Sequence, residues 1–136
     1  MTCLRLFFSF FLLLTITFGH SQPLQRQDTI KMICREWKFK EGYSDNLDNN
    51  SQEAKDFIKY ARYLFKADMT FIEKDGEWSE SGKWKFNSAK KEIILESKDG
   101  TKTIFKIILL LPSMMKFESI DPDTKVFSSG TLIPSG

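Results

Sequence analysis

The side chains best suited to proton transfer, redox work or metal binding are scarce in this sequence. There is a single histidine, His20, and there are two cysteines, Cys3 and Cys34. His20 and Cys3 both fall in the first 21 residues, which read as a segment that is removed. The remaining chain then has no histidine, so the usual proton shuttles, most zinc sites and histidine-ligated haem are unavailable to it. Carboxylate pairs do occur, Glu92 with Glu96 and Glu77 with Glu80. Two carboxylates can divide general-acid and general-base roles, but these pairs fall on polar strand faces or in a turn, where carboxylates are solvated surface. The oxygen-rich stretch Asp45-Asn46-Leu47-Asp48-Asn49-Asn50 suggests calcium. Taking Asn46, Asp48 and Asn50 as the first ligands of an EF-hand loop puts Ser51 at the glycine position and Phe57 at the bidentate glutamate. That pattern fails. The sequence is expected to carry no catalytic residues, no metal site and no cofactor.

The N-terminus explains the loss of those groups. Arg5 is a basic n-region, Leu6 to Phe18 is apolar except for Ser9, Thr15 and Thr17, and Gly19-His20-Ser21 supplies small residues beside the junction. This is the pattern of a secretory signal peptide, with cleavage expected between Ser21 and Gln22. The apolar run is shorter than a bilayer-spanning helix of about 20 residues, and no transmembrane segment is expected after cleavage. The mature chain, Gln22 to Gly136, is expected to be exported, to the periplasm or beyond the cell. Its one cysteine, Cys34, cannot form an internal disulfide and lies too far from the junction for a lipidated terminus. It reads as a half-buried thiol at the start of a strand.

Charge excludes two further classes of partner. Removing Arg5 takes the 20 basic residues to 19, against 18 acidic ones, and no basic run stands apart from acidic neighbours. Neither nucleic acid nor an anionic membrane surface is expected as a partner. The length suits one domain.

What positions the remaining residues is a repeated alternation. Trp37 and Phe39, Tyr63 and Phe65, Met69 and Phe71, Trp84 and Phe86, Ile93 and Leu95, Phe105 and Ile107, and Met115 and Phe117 are each separated by one residue, usually charged. Period two marks strands with one buried face. A last strand, Val126 to Ile133, is less regular; Phe127 is expected inward and Ser128-Ser129-Gly130 suggests a bulge or corner. Turn signals separate the runs: Ala67-Asp68, Asp75-Gly76, Asn87 to Lys91, Asp99-Gly100, Pro112-Ser113 and Asp121-Pro122-Asp123. The expected fold is all-β, an up-and-down antiparallel barrel of about eight strands, closed so that no edge is exposed. One helix interrupts it. Ala54, Phe57, Ile58 and Ala61 follow helical spacing, and Asn50 with Glu53 reads as a capping box, so residues 51–61 are expected as an amphipathic helix over the barrel. Residues 22–32 are expected as a flexible leader and 33–136 as the barrel domain.

The order of these residues resembles a known pattern. Trp37-Lys-Phe39, Phe65-Lys-Ala-Asp68-Met-Thr-Phe71, Gly82-Lys-Trp84, Phe105-Lys-Ile107 and Met115-Lys-Phe117 together are similar to the bacterial lipocalin-like domain family of small exported proteins. Members carry Gly-x-Trp on the first strand and Asp-Gly-Thr in the hairpin; here Arg35 and Met69 replace the two glycines. Methionine is ill suited to the positive φ that glycine tolerates. The resemblance implies a lipocalin-like barrel and says little about the ligand.

Two functions follow as expectations. In the first, the barrel holds a small hydrophobic ligand in a cup lined by Trp37, Phe39, Tyr63, Phe65, Phe71, Trp84, Phe86, Phe105 and Phe117, with the Tyr63 hydroxyl to orient it. In the second, those rings fill the barrel and the protein meets an unidentified protein partner through its surface. That surface would comprise loop 41–50, helix 51–61 and outward Ile72, Ile94, Ile108 and Leu110.

Overall fold

The computed structural model describes residues 21–136. The apolar segment read as a signal peptide, with His20 and Cys3, lies outside the described residues. Helix α1 (Ser21–Ile33) leads into strand β1 (Glu36–Ser44), and helix α2 (Gln52–Tyr60) follows. Seven strands complete the chain: β2 (Arg62–Phe65), β3 (Thr70–Asp75), β4 (Trp78–Asn87), β5 (Glu92–Ser97), β6 (Lys102–Leu111), β7 (Met114–Ile120) and β8 (Phe127–Pro134). Each strand pairs antiparallel with the next, and β8 pairs with β1 to close the barrel. This is the eight-stranded up-and-down architecture that the alternation predicts, with one helix between the first two strands.

The rings and branched chains named in pairs above are the ones that turn inward. Trp37, Phe65, Phe71, Ile93, Met115 and Leu132 are among the most deeply buried side chains, and Trp84, Phe105 and Phe117 are also buried. Removing each such side chain from water contributes roughly 1.5–3 kcal/mol, and among the described residues no disulfide assists, since Cys34 is a free, half-buried thiol.

Two bulges adjust this pattern. One lies between Phe39 and Glu41 in β1, the other between Ile107 and Leu109 in β6. The second reverses the alternation, because the extra residue leaves the ladder and the next one takes its face. Ile108 stays outward as expected, at 52% exposure, whereas Leu110, also expected outward, is turned by the bulge to pack against the core. In β8 no bulge interrupts residues 128–130, which pair continuously with both neighbours. Ser128 and Gly130 face inward there, and Phe127 packs against Tyr43 instead of entering the barrel.

The two ends of the barrel differ. At the end where β1 begins, α1 occupies the stretch read as a flexible leader. Its sequence is rich in good helix formers but has no apolar period, so it gave no helical signal. Tertiary contact holds its last turn: Ile33 is fully buried and Ile30 packs on the core. The Ile33 carbonyl accepts both the Arg35 N–H (2.8 Å) and the Trp37 indole N–H (2.9 Å). Arg35, where the lipocalin-like pattern has glycine, stacks its guanidinium over Trp37 at 5.4 Å and donates to the Pro112 carbonyl at 2.9 Å. Met69, at the other glycine position, adopts φ +67° and lays its side chain on the core. The turn is held around it, with Asp68 Oδ1 accepting the Thr70 N–H and hydroxyl and the Lys66 carbonyl accepting the Trp84 indole N–H. This end is closed.

At the opposite end α2 lies across the barrel, touching β1 and β3. Its N-cap is Ser51, one residue beyond the expected Asn50, and the Ser51 hydroxyl accepts the Ala54 N–H at 3.1 Å. Ala54 and Ala61 are buried, and Phe57 and Ile58 are half-buried on the same stripe.

Candidate functional site

Beneath α2 the barrel is hollow, with a partly open cavity of about 460 Å³. Its existence follows from which residues occupy the inward positions of each wall. On β2 and β6 these are large, Tyr63 and Phe105. On β1, β8 and β7 they include Gly42, Ser44, Ser128, Gly130 and Ser119. Ser44 pairs with Ser128 and Ser128 with Ser119, so three serines form one rung across three strands. Gly42 and Gly130 form the rung below. The space at Gly130 is already taken by its neighbours: a Cβ there would lie 2.8 Å from Phe117 Cε1 and 2.9 Å from Phe39 Cε1.

The apolar side of the cavity is a connected set of five rings. Phe39 lies 5.2 Å from Phe57, 5.9 Å from Tyr63 and 6.1 Å from Phe117, centroid to centroid. Phe105 joins Phe117 at 4.4 Å and meets Tyr63 edge-on at 5.4 Å. All five line the cavity.

Of the nine residues expected to line a cup, Phe39, Tyr63, Phe105 and Phe117 do so. Trp37, Phe65, Phe71, Trp84 and Phe86 are buried but are not on the cavity wall; they belong to the packed core. The Tyr63 hydroxyl, expected to orient a ligand, instead donates to Glu73 Oε1 at 2.9 Å. Burial, together with the Glu73 carboxylate, pushes the Tyr63 phenol well above its ordinary range. Burial likewise raises Glu73, aided by the nearby charges of Glu80 and Asp75, while the Tyr63 bond works in the opposite direction.

Phe57 and the serine–glycine wall were absent from the expected lining. Phe57 was legible as part of a helical stripe. The wall had a signal too, small residues at alternate positions of β1 (Gly42 and Ser44), but small residues mark space only once the face they occupy is known.

The loop 45–50, whose spacing fails as a calcium loop, has a structural role. Asn49 Oδ1 accepts the Ser44 N–H at 3.0 Å and its Nδ2 donates to the Ser44 carbonyl at 3.2 Å, while Asp48 Oδ1 accepts the Asn50 N–H. These bonds fold the loop back on the end of β1 and fix the start of α2. Across the mouth, Asp121 Oδ1 accepts the N–H groups of Asp123 and Thr124, which hold its carboxyl below the ordinary range. Among the described residues, no helix is long and apolar enough to cross a membrane.

Comparison with known proteins adds little to this geometry. No family model matches the chain, and no curated protein matches it. Among solved structures it is similar to a DUF4847 family protein from Bacteroides vulgatus ATCC 8482, at 12% identity and a TM-score of 0.48, over 73% of this chain and 92% of that one.

Proposed function

We propose that the protein is an exported, non-enzymatic lipocalin-like module that carries or senses a small, largely apolar ligand held beneath α2. The observation that carries this reading is the cavity of about 460 Å³ walled by five connected rings. Its volume lies in the range of about 300–1,000 Å³ used by small-molecule sites. A barrel of eight strands can either be filled by its own side chains or hold one small ligand, and here Gly42 of β1 and the serines of β1, β7 and β8 leave the room. Export rests on the basic, apolar and small-residue succession of residues 1–21. The absence of a catalytic role rests on the lack of histidine after His20.

The surface-module reading has less to draw on. Of Ile72, Ile94, Ile108 and Leu110, Ile108 is exposed, Leu110 turns into the core, and Ile72 and Ile94 are half-buried.

Titration with N-phenylnaphthylamine, whose fluorescence rises in apolar surroundings, tests the binding reading. We expect saturable binding at one site with a dissociation constant on the order of micromolar. Filling the cavity with Ser119→Trp should reduce affinity at least about tenfold without unfolding the barrel. A linear, unsaturable response, or one indifferent to Ser119→Trp, would remove the basis for a ligand-binding role.

A further inference from the structure

We infer that the ligand, on the binding reading above, is an uncharged ring compound that presents a hydroxyl or N–H donor to Ser128. Direction in a chain of hydrogen bonds leads to this. Ser44 Oγ donates to Asn46 Oδ1 at 2.6 Å, and Ser128 Oγ lies 3.1 Å from Ser44 Oγ. The Ser44 proton is committed to the Asn46 carbonyl oxygen, so the proton between the two serines must belong to Ser128. A serine hydroxyl has one proton and two acceptor lone pairs. With its proton turned toward Ser44, Ser128 offers the cavity acceptor capacity alone. A ligand donor satisfies it; a ligand carbonyl or ether placed there would oppose lone pair to lone pair.

Charge on the walls gives the second part. The inward polar groups of this rung are hydroxyls, Ser44, Ser128 and Ser119. The charged residues at the rim are Lys102 and Asp121. Lys102 pairs with Glu96 in an outward-facing register, and Asp121 already accepts two backbone N–H groups. An ionised group drawn down to the serine rung would lose hydration without a counter-charge, a large cost. The opposite wall supplies ring faces and edges, and aromatic groups prefer edge-on or offset contact with other rings. An uncharged ring body with its donor directed at β8 satisfies both walls.

Three naphthalene probes of one body separate the possibilities, each displacing N-phenylnaphthylamine from the full mature chain: naphthol, a donor; methoxynaphthalene, an acceptor only; and naphthoate, an anion. Naphthol is expected to bind about five- to tenfold more tightly than methoxynaphthalene, one hydrogen bond's worth, with naphthoate weakest. Ser128→Ala should bring naphthol and methoxynaphthalene to equal affinity, by weakening naphthol and relieving the lone-pair opposition that methoxynaphthalene meets. Equal affinity in the unmodified protein, tightest binding by naphthoate, or a naphthol preference that survives Ser128→Ala would overturn the inference and leave the binding reading standing. Failure of N-phenylnaphthylamine itself to bind would remove both.

Discussion

Glu73 is the residue whose placement runs most against its chemistry. It lies directly across from Tyr63 on one strand and Glu80 on the other, so its carboxyl turns into the barrel beside a phenol and near other carboxyls. Burial is the main cause of its raised pKa, with Glu80 and Asp75 adding repulsion. A group that binds a proton more tightly when folded favours the fold when protonated. That contribution is complete below the ordinary glutamate value of 4.5 and is lost as pH rises through the higher folded value. Asp68, Asp99 and Asp121 act oppositely: backbone or hydroxyl donors lower each of them, so their contribution is present above 3.8 and lost on acidification. Glu73→Gln keeps an oxygen to accept the Tyr63 hydroxyl and removes the charge. We expect this variant to unfold at a higher urea concentration than the parent at about pH 7, the gap narrowing toward about pH 4. A gap that is constant across that range would assign the effect to something other than the carboxylate charge.

At the scale of elements, strands whose one face is buried were plain to read, because alternation of rings with Lys and Glu leaves little choice of face. Lys83 and Lys85 alternating with Trp84 and Phe86 illustrate this. The run Ile107-Ile108-Leu109-Leu110-Leu111 hid its bulge, since five successive apolar residues cannot reveal where the parity changes. Helix α1 was hidden for a different reason: contacts at Ile30 and Ile33 hold its last turn, and no stripe announces it. Half of the cavity is not legible in the sequence, because a site built from missing side chains leaves no apolar signal. Gly82 in β4 shows how far spacing can depend on such an absence. A Cβ there would meet the Glu96 carbonyl oxygen of β5 and come within 2.9 Å of Phe71 Cε1. Gly76, in the β3–β4 turn at φ +62°, has open space around it. Gly82→Ala is therefore expected to cost about 3 kcal/mol or more, by forcing β4 and β5 apart, and Gly76→Ala only about 1 kcal/mol of backbone strain. Urea denaturation of the two variants measures both, and equal costs would show that the β4–β5 spacing yields easily.

Across the whole molecule, closure of the sheet spreads hydrogen bonding evenly around the barrel, but packing is divided along its axis. The closed end holds Ile33, Trp37, Phe65, Met115 and Leu132, all essentially inaccessible to solvent, and is tied across by the Trp37 indole and the Arg35 guanidinium. The end beneath α2 has the cavity, the serine rung and a short helix capped by one hydroxyl. Opening free energy within a protein follows local burial and can lie well below the global value where apolar contact is sparse. A binding module gains from such a division, since the mouth can open for exchange of its contents while the base preserves the register of all eight strands. Native-state hydrogen exchange should resolve the two ends. Amides of Trp37, Phe65, Met115 and Leu132 are expected to exchange only through global unfolding, with free energies matching those from denaturation. Amides of Ser44, Ala54 and Ser128 are expected to exchange about tenfold or more faster after correction for intrinsic rates, a difference of at least about 1.4 kcal/mol. Ser51→Ala, which removes the α2 cap at a cost of about 1 kcal/mol, should speed exchange at the mouth and leave the base unchanged. Uniform protection from one end to the other, or a Ser51→Ala effect that reaches Trp37 equally, would mean that the barrel opens as a single unit.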